Sequence, residues 1–336
     1  MGQPKVLQLG YFEQAPESLA KVSQIAQILH PKSTTRSDFI EECQSGALGQ
    51  VSVIFRTVES AEITGPFDEE LVASLPPSVK FICHHGAGYD SIDVQACTKQ
   101  GISVSNVPTA VDDATADTAI FLMLGALRNF NVAMTSLRKG EWEGDPPPAM
   151  GRDPQGKTLG ILGMGGIGRN MAKKALAFGM RIQYYNRTRL PLELEEDCNA
   201  TYVDLEELYR TSDVLSLNLP LNKHTRHILS DAQFAMMKRG VVIVNTARGA
   251  VIDEAALVRA LENGIVDSVG LDVFENEPDI HPGLLSNPRA ILLPHRGTYT
   301  VETEKKMAEW VLDNVRLALQ EGRLKSIVPE QANIDI

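Results

Sequence analysis

Short apolar runs alternate with longer stretches of helical period along almost the whole chain. Residues 6–9, 51–55, 79–83 and 102–104 have the length and β-branched content of buried strands, and residues 18–29 and 91–100 place apolar side chains at helical spacing. A second series follows: Thr158–Leu162, Arg181–Tyr185, Val214–Leu217, Val241–Asn245, residues 269–273 and residues 291–293. Helical patterns such as residues 167–178 and Glu254–Glu262 lie between these. Strands that are apolar throughout, rather than at every second position, belong to sheets covered on both faces. The βαβα rhythm therefore predicts an α/β protein of parallel sheets wrapped by helices. Residues 140–156 interrupt it. Pro146, Pro147, Pro148 and Pro154 cannot continue a helix, so a long loop is expected there. The last helical pattern, residues 300–319, aligns Met307, Val311, Val315 and Ala318 in an apolar stripe that needs a partner.

Composition narrows the function. At 336 residues, 43% hydrophobic and 22% charged, the chain has material for two domains with ordinary cores. A net charge of −11 and the lack of a long Lys/Arg block argue against nucleic acid or an anionic membrane as partner. Small anions stay open, because one local Arg outweighs a distant negative surface. Cys43, Cys83, Cys97 and Cys198 are scattered without a Cys-x-x-Cys pair, a pattern that suits a reducing compartment and offers neither a disulfide framework nor a zinc site. Residues 1–5 lead directly into a strand pattern, not a signal peptide. No stretch approaches the ~18 apolar residues of a membrane span. The closing Asn333-Ile334-Asp335-Ile336 matches no sorting signal, so the cytosol is the expected address.

The strongest local signal is Gly163-Met164-Gly165-Gly166-Ile167-Gly168, with a strand pattern before it and a helical one after it. Glycine turns alone are common; in this setting each glycine has a task in dinucleotide binding. Gly163 permits the tight turn, Gly165 lets backbone approach a pyrophosphate, and Gly168 lets the helix pack close to the strand. The helix start then offers N–H groups and its dipole to the phosphates. Eighteen residues beyond Gly168, Asn186 stands where NAD sites usually carry Asp or Glu for the ribose 2′-hydroxyl, followed by Arg187, Thr188 and Arg189. With no carboxylate to repel it, a 2′-phosphate can pair with a guanidinium, which favours NADPH over NADH. The alternative is an NAD site without its acid beside a solvated basic turn.

Three further strand ends carry polar groups: Asn245-Thr246-Ala247-Arg248-Gly249, the run from Gly270-Leu271-Asp272 to Glu277-Pro278, and Pro294-His295-Arg296-Gly297. Taken singly, Arg248, Glu277 and His295 read as ordinary loop residues. Together they are what reduction of a 2-keto acid requires. A guanidinium grips the carboxylate and polarises the ketone, an imidazolium donates a proton to its oxygen, and a carboxylate orients the imidazole.

With Gly156-Lys157-Thr158-Leu159-Gly160 ahead of the glycine turn and Asn218-Leu219-Pro220-Leu221 between, the ordered set of motifs resembles the D-isomer-specific 2-hydroxyacid dehydrogenases over most of the chain. The resemblance implies Arg248, Glu277 and His295 as the catalytic set. It implies cofactor contacts from Gly163, Gly165, Gly166, Ile167, Gly168, Asn186, Arg187, Thr188, Arg189, Leu219, Pro220, Thr246 and Ala247. Asp272 would lie near the nicotinamide carboxamide and Thr115 near the phosphates. Gly86-Ala87-Gly88-Tyr89-Asp90 matches the family's substrate loop, where the amides of Ala87 and Gly88 would receive the carboxylate. It also implies two doubly wound parallel-sheet domains with a cleft between them: a Rossmann-type cofactor domain at residues 108–297, and a flavodoxin-like substrate domain at residues 1–107 and 298–336. A homodimer is implied as well, with Trp142 near its contact or packed in the core.

Several positions depart from the family pattern: Arg296 and Thr298-Tyr299 after the histidine, Asp117 in place of Glu, and His84-His85 before the glycine turn. They lie towards the substrate side. The turn at residues 86–90 and Asp113-Ala114-Thr115-Ala116-Asp117 are similar to the fungal D-mandelate dehydrogenase branch, with glyoxylate or hydroxypyruvate reductase as the competing branch. A dinucleotide-sensing corepressor and a phosphite or formate dehydrogenase are the alternative functions. Other candidates are weaker. His224 and His227 sit beside Lys223 and Arg226, cations that would repel a metal, so no metal is expected. Adjacent strand residues point to opposite faces, so at most one of His84 and His85 can line a pocket. Gly-x-Ser-x-Gly is absent, which leaves a hydrolase reading without support.

Overall fold

The structure, a computed structural model, describes residues 2–142, 144, 147 and 149–334. Pro146 and Pro148 of the expected loop, and the terminal Asp335 and Ile336, lie outside them. The chain divides into two compact units, Met1–Val111 with Tyr299–Ile336, and Asp112–Thr298.

In the first unit, β1 (Lys5–Leu9), β2 (Gln27–Leu29), β3 (Val51–Thr57), β4 (Phe81–His85) and β5 (Ser103–Ser105) form a parallel sheet in the order β2-β1-β3-β4-β5. This is the flavodoxin-like order. Phe39, Leu71, Ile82 and Val104 are among the side chains buried in its core. The helix Val301–Glu321 packs on β3 and β4, burying the stripe Met307, Val311, Val315 and Ala318. Thr300 caps it by accepting from the Thr303 amide. The expected helix over residues 18–29 is instead Pro16–Ile25. Ala26 is extended, and Ile28 and Leu29 pair with Val6 and Leu7 as an edge strand. A short apolar tail reads equally as helix or strand, and here the open backbone groups of β1 decide it.

The second unit holds β6 (Thr158–Leu162), β7 (Arg181–Tyr185), β8 (Ala200–Tyr202), β9 (Val214–Leu217), β10 (Val241–Asn245), β11 (Val266–Leu271) and β12 (Ala290–Leu292). All are parallel, in the order β12-β11-β10-β9-β6-β7-β8. Counted within the unit, the first six follow the dinucleotide-binding order 3-2-1-4-5-6. β8 was not expected from the sequence, because Ala-Thr-Tyr is short, only partly buried and has an exposed Thr201 at its centre. β6, β9 and β10 are buried along their whole length. One face is covered by the helices Asp112–Leu127 and Gly166–Leu176, which pack on each other. Gly270 lets the first approach closely, since a Cβ there would lie 2.9 Å from the Leu122 carbonyl oxygen. The strand order reverses between β6 and β9, and ligands of open α/β sheets bind at the carboxyl ends of strands at such a point. Among the described residues, no single helix is long and apolar enough to cross a membrane.

Candidate active site

At the reversal, β6 runs into Gly163, whose φ of +98° is left-handed. A Cβ there would lie 2.5 Å from the Asn218 carbonyl oxygen at the end of β9. A Cβ on Gly168 would meet the Gly163 carbonyl at 2.5 Å, so helix and turn touch through their backbones. Gly165, which precedes the helix Gly166–Leu176, has open space where its Cβ would be. Around this turn, two buried oxygens have no hydrogen-bond partner among the described residues: Thr246 Oγ1 beyond β10 and Asn218 Oδ1 beyond β9. Buried polar atoms left unpaired are costly, by about 1–3 kcal/mol. A polar ligand lying across these strand ends relieves that cost. The residues therefore fit a dinucleotide.

The end of β7 sorts the basic turn. Asn186 Oδ1 accepts from the Met164 amide at 2.6 Å, tying the turn beyond β7 to the glycine turn. Arg189 is committed to the protein: Nε and Nη2 each donate to Glu195 at 2.8 Å, and the guanidinium lies over the Tyr202 ring. Arg187 and Thr188 are exposed, and no hydrogen bond or ion pair holds either among the described residues. Of the two arginines singled out from the sequence, Arg187 is thus the one available to a ligand.

The ends of β10, β11 and β12 bring Arg248, Glu277 and His295 to one region of this unit. His295 Nδ1 is 2.9 Å from Glu277 Oε2, and Glu277 Oε1 accepts from the Phe274 amide at 2.9 Å. Burial raises the Glu277 carboxyl, but the His295 hydrogen bond and charge, the Phe274 amide and the Arg248 charge together hold it below the usual carboxylate range. Arg248 is therefore near enough for its charge to act on Glu277. Gly249 makes this proximity possible: a Cβ there would land on the backbone of Phe274 and Glu275, so only glycine lets the turn after β10 touch the turn after β11.

His295 itself has φ +53°, a left-handed conformation that costs a non-glycine residue about 1–2 kcal/mol. Its amide is held by the carbonyls of Asp272 at 2.8 Å and Leu293 at 3.1 Å. The Asp272 carboxylate, 1% exposed, accepts from the amides of Arg296 at 2.6 Å and Gly297 at 2.7 Å. Burial pushes this carboxyl up, against the two amides and the charge of His295. Asp272 thus grips the histidine turn from beneath. Thr115 lies beside the same turn, 3.5 Å through its Oγ1 from where a Gly297 Cβ would sit.

Sequence reasoning missed two contributors in this unit. Asn245 Oδ1 accepts from the Ala247 amide at 3.0 Å and its Nδ2 donates to the Arg248 carbonyl at 2.8 Å, clamping the turn that carries the arginine. An Asn before a turn is the available signal. Asp112, the first residue of its helix, lies against Gly166 at the start of the helix Gly166–Leu176, and nothing local reveals that. In the first unit, the turn after β4 places Gly86, Ala87 and Gly88 with their carbonyls in hydrogen bonds and no acceptor for the Ala87 or Gly88 amides among the described residues. His227, half of the histidine pair in the loop after β9, lies 2.6 Å from Glu275.

Residues 120–297, more than half of the chain, match the family described as D-isomer specific 2-hydroxyacid dehydrogenase, NAD binding domain. The chain belongs to this family. It is 55% identical to 4-methyl-2-oxopentanoate reductase A of Aspergillus oryzae over 98% of its own length and 99% of that protein. It superposes on the crystal structure of a glyoxylate reductase from Paecilomyes thermophila with TM-score 0.95 and 55% identity, covering 98% of this chain and 100% of that one. The holo form of D-mandelate dehydrogenase from Rhodotorula graminis gives TM-score 0.92 at 32% identity, covering 98% of each. The dehydrogenase is thus an enzyme of the nicotinamide-dependent 2-hydroxyacid class, as its motifs imply.

Proposed function

We propose that this dehydrogenase reduces a small 2-keto acid to the D-2-hydroxy acid, with NADPH preferred to NADH. The observation that carries the reading is the 2.9 Å contact of His295 Nδ1 with Glu277, at strand ends that also present Arg248, in a unit with the dinucleotide strand order. Glu277 orients the imidazole: with Nδ1 engaged, the ring presents Nε2 to the substrate. Arg248 grips the carboxylate and polarises the ketone, and the amides of Ala87 and Gly88 receive the carboxylate. The cofactor, when bound, supplies the hydride to the keto carbon. His295 donates its proton to the keto oxygen and is left neutral, while Glu277 stays ionised. Gly163, Gly165, Gly166, Ile167 and Gly168 would hold the pyrophosphate with Thr115, Leu219 and Pro220. Thr246, Ala247 and Asp272 would border the nicotinamide.

NADPH is favoured because Asn186 uses its oxygen on Met164 and leaves its amide as a donor, with Arg187 and Thr188 exposed beside it. The substrate is of the glyoxylate, hydroxypyruvate or phenylglyoxylate type, or carries the branched side chain named for the Aspergillus relative. A homodimer is supported by exposed apolar side chains in the second unit: Phe121, Phe130, Met134, Leu137 and Trp142. The cytosol is supported by four free, buried cysteines. Glyoxylate, hydroxypyruvate, 4-methyl-2-oxopentanoate and phenylglyoxylate, each assayed with NADPH and NADH, test the reading. If none of them drives oxidation of either cofactor, it is wrong.

A further inference from the structure

Three successive carbonyls of the turn after β4 are tied to the body of the first unit. The Gly86 oxygen accepts from the Val107 amide at 2.9 Å, the Ala87 oxygen from Asn106 Nδ2 at 2.7 Å, and the Gly88 oxygen from His84 Nε2 at 3.0 Å. A carbonyl can only accept, so the ring nitrogen facing Gly88 carries the proton. In a planar trans peptide the N–H points opposite to the C=O. Tethering these three oxygens therefore turns the amides of Ala87, Gly88 and Tyr89 the other way, and none of the three finds an acceptor among the described residues. Backbone amides in buried or half-buried turns are nearly always paired, so a row of three donors is a site made for an anion.

His84 is built into this arrangement. It is 1% exposed on β4, in register with the fully buried Arg56 of β3, whose Nη1 donates to Ser91 Oγ at 3.2 Å further along the same loop. Gly86 is glycine for the sake of this ring: a Cβ would lie 2.7 Å from His84 Nε2. The imidazole passes directly under the turn that it holds.

We infer that His84 and Asn106 are positioning residues which aim a three-amide cradle, at Ala87, Gly88 and Tyr89, towards the carboxylate of the substrate. The inference rests on the reading of this turn as the carboxylate site. Neither side chain touches the substrate or the reacting atoms. Their effect is on affinity for the carboxylate, not on hydride transfer or on the cofactor.

The test uses the full chain, with the keto-acid KM and the oxamate Kd measured at saturating NADPH and the cofactor KM at saturating keto acid. His84→Met keeps the volume and removes the donor; His84→Gln keeps a donor. Loss of one tether is expected to raise KM for the keto acid and Kd for oxamate, an unreactive keto-acid analogue, about five- to tenfold in His84→Met, a net hydrogen bond's worth. KM for NADPH should stay at the wild-type value, and His84→Gln should recover most of the loss. An unchanged oxamate Kd in His84→Met overturns the inference, as does a loss that appears equally in cofactor KM, or one that His84→Gln fails to recover. If His84→Met does not fold, Asn106→Leu removes the neighbouring tether and is expected to raise the same two constants; unchanged constants there are equally fatal. If the wild type itself reduces no keto acid, the functional reading fails with the inference. If it reduces one and both variants match it, only the inference fails.

Discussion

Replacing Asn186 with Asp is the sharpest test of cofactor choice. The side-chain oxygen that accepts from the Met164 amide at 2.6 Å is present in both residues, so the glycine turn keeps its tie and the fold is undisturbed. What changes is one negative charge, placed where a 2′-phosphate would lie. At ~5 Å on an exposed edge, with an effective dielectric constant between about 20 and 80, each pair of unit charges repels by about 1–3 kcal/mol. Salt screening brings this towards the lower end. A loss of about 2 kcal/mol corresponds to roughly a 30-fold fall in kcat/KM for NADPH. The carboxylate also accepts from a ribose 2′-hydroxyl, which for NADH returns about 1 kcal/mol, or roughly fivefold. The NADPH/NADH ratio should thus fall by about 100-fold or more. Initial rates with one keto acid and both cofactors, at low ionic strength, measure it. A ratio that moves less than threefold, or a wild type that uses NADH as well as NADPH, refutes the placement of Asn186 and Arg187 beside the 2′ position.

The remaining expectations concern the turns after β10, β11 and β12 and the stability of the second unit. His295→Ala should lower kcat by about 10²- to 10⁴-fold while leaving cofactor affinity intact, measured by steady-state rates and NADPH fluorescence titration; near-normal kcat would remove the proton-donor assignment. Because the Glu277 carboxyl is held below its ordinary range, its contribution to stability is present above the unfolded pKa and disappears as pH falls through the lower folded value. Glu277→Gln should therefore lose part of its deficit in Tm relative to wild type under acid conditions, while its kcat is depressed at neutral pH. The effect on stability is under about 1 kcal/mol, since both partners of the pair are partly exposed and screened by solvent. Gly249→Ala forces a methyl into the Phe274 and Glu275 backbone, and should destabilise the second unit by about 2–4 kcal/mol in urea denaturation or prevent its folding. Burial pushes the Asp112 carboxyl up to about 6, with Arg169 opposing and Asp113 reinforcing the shift. A raised carboxyl contributes stability fully below its ordinary value of 3.8, and that contribution is lost as pH rises through about 6. Asp112→Asn should flatten the wild-type decline in Tm over this window; parallel curves would contradict the burial.

Much of this protein was readable along the chain. Buried parallel strands announce themselves as short, predominantly apolar runs, and β6, β7, β9 and β10 were legible to the residue. A strand, three glycines and a helix make the tight strand-to-helix turn legible because the requirement is steric and local. The order of motifs, ending in Arg248, Glu277 and His295, carried the family. Two of the four edge strands, β2 and β8, were not legible: both are only partly buried, and pairing partners far away in sequence decide them, whereas the better buried β5 and β12 were read to within one residue. The sequence also treated Arg187 and Arg189 alike, although Glu195 occupies one and leaves the other exposed. Only folding shows that Asp272 grips the histidine turn, that Gly249 lets two strand ends touch, and that His84 lies under the Gly86 turn. Periodicity and turn chemistry depend on neighbours along the chain and survive in the sequence. Which side chain meets which carbonyl depends on sheet order and register, and these exist only once distant strands have packed.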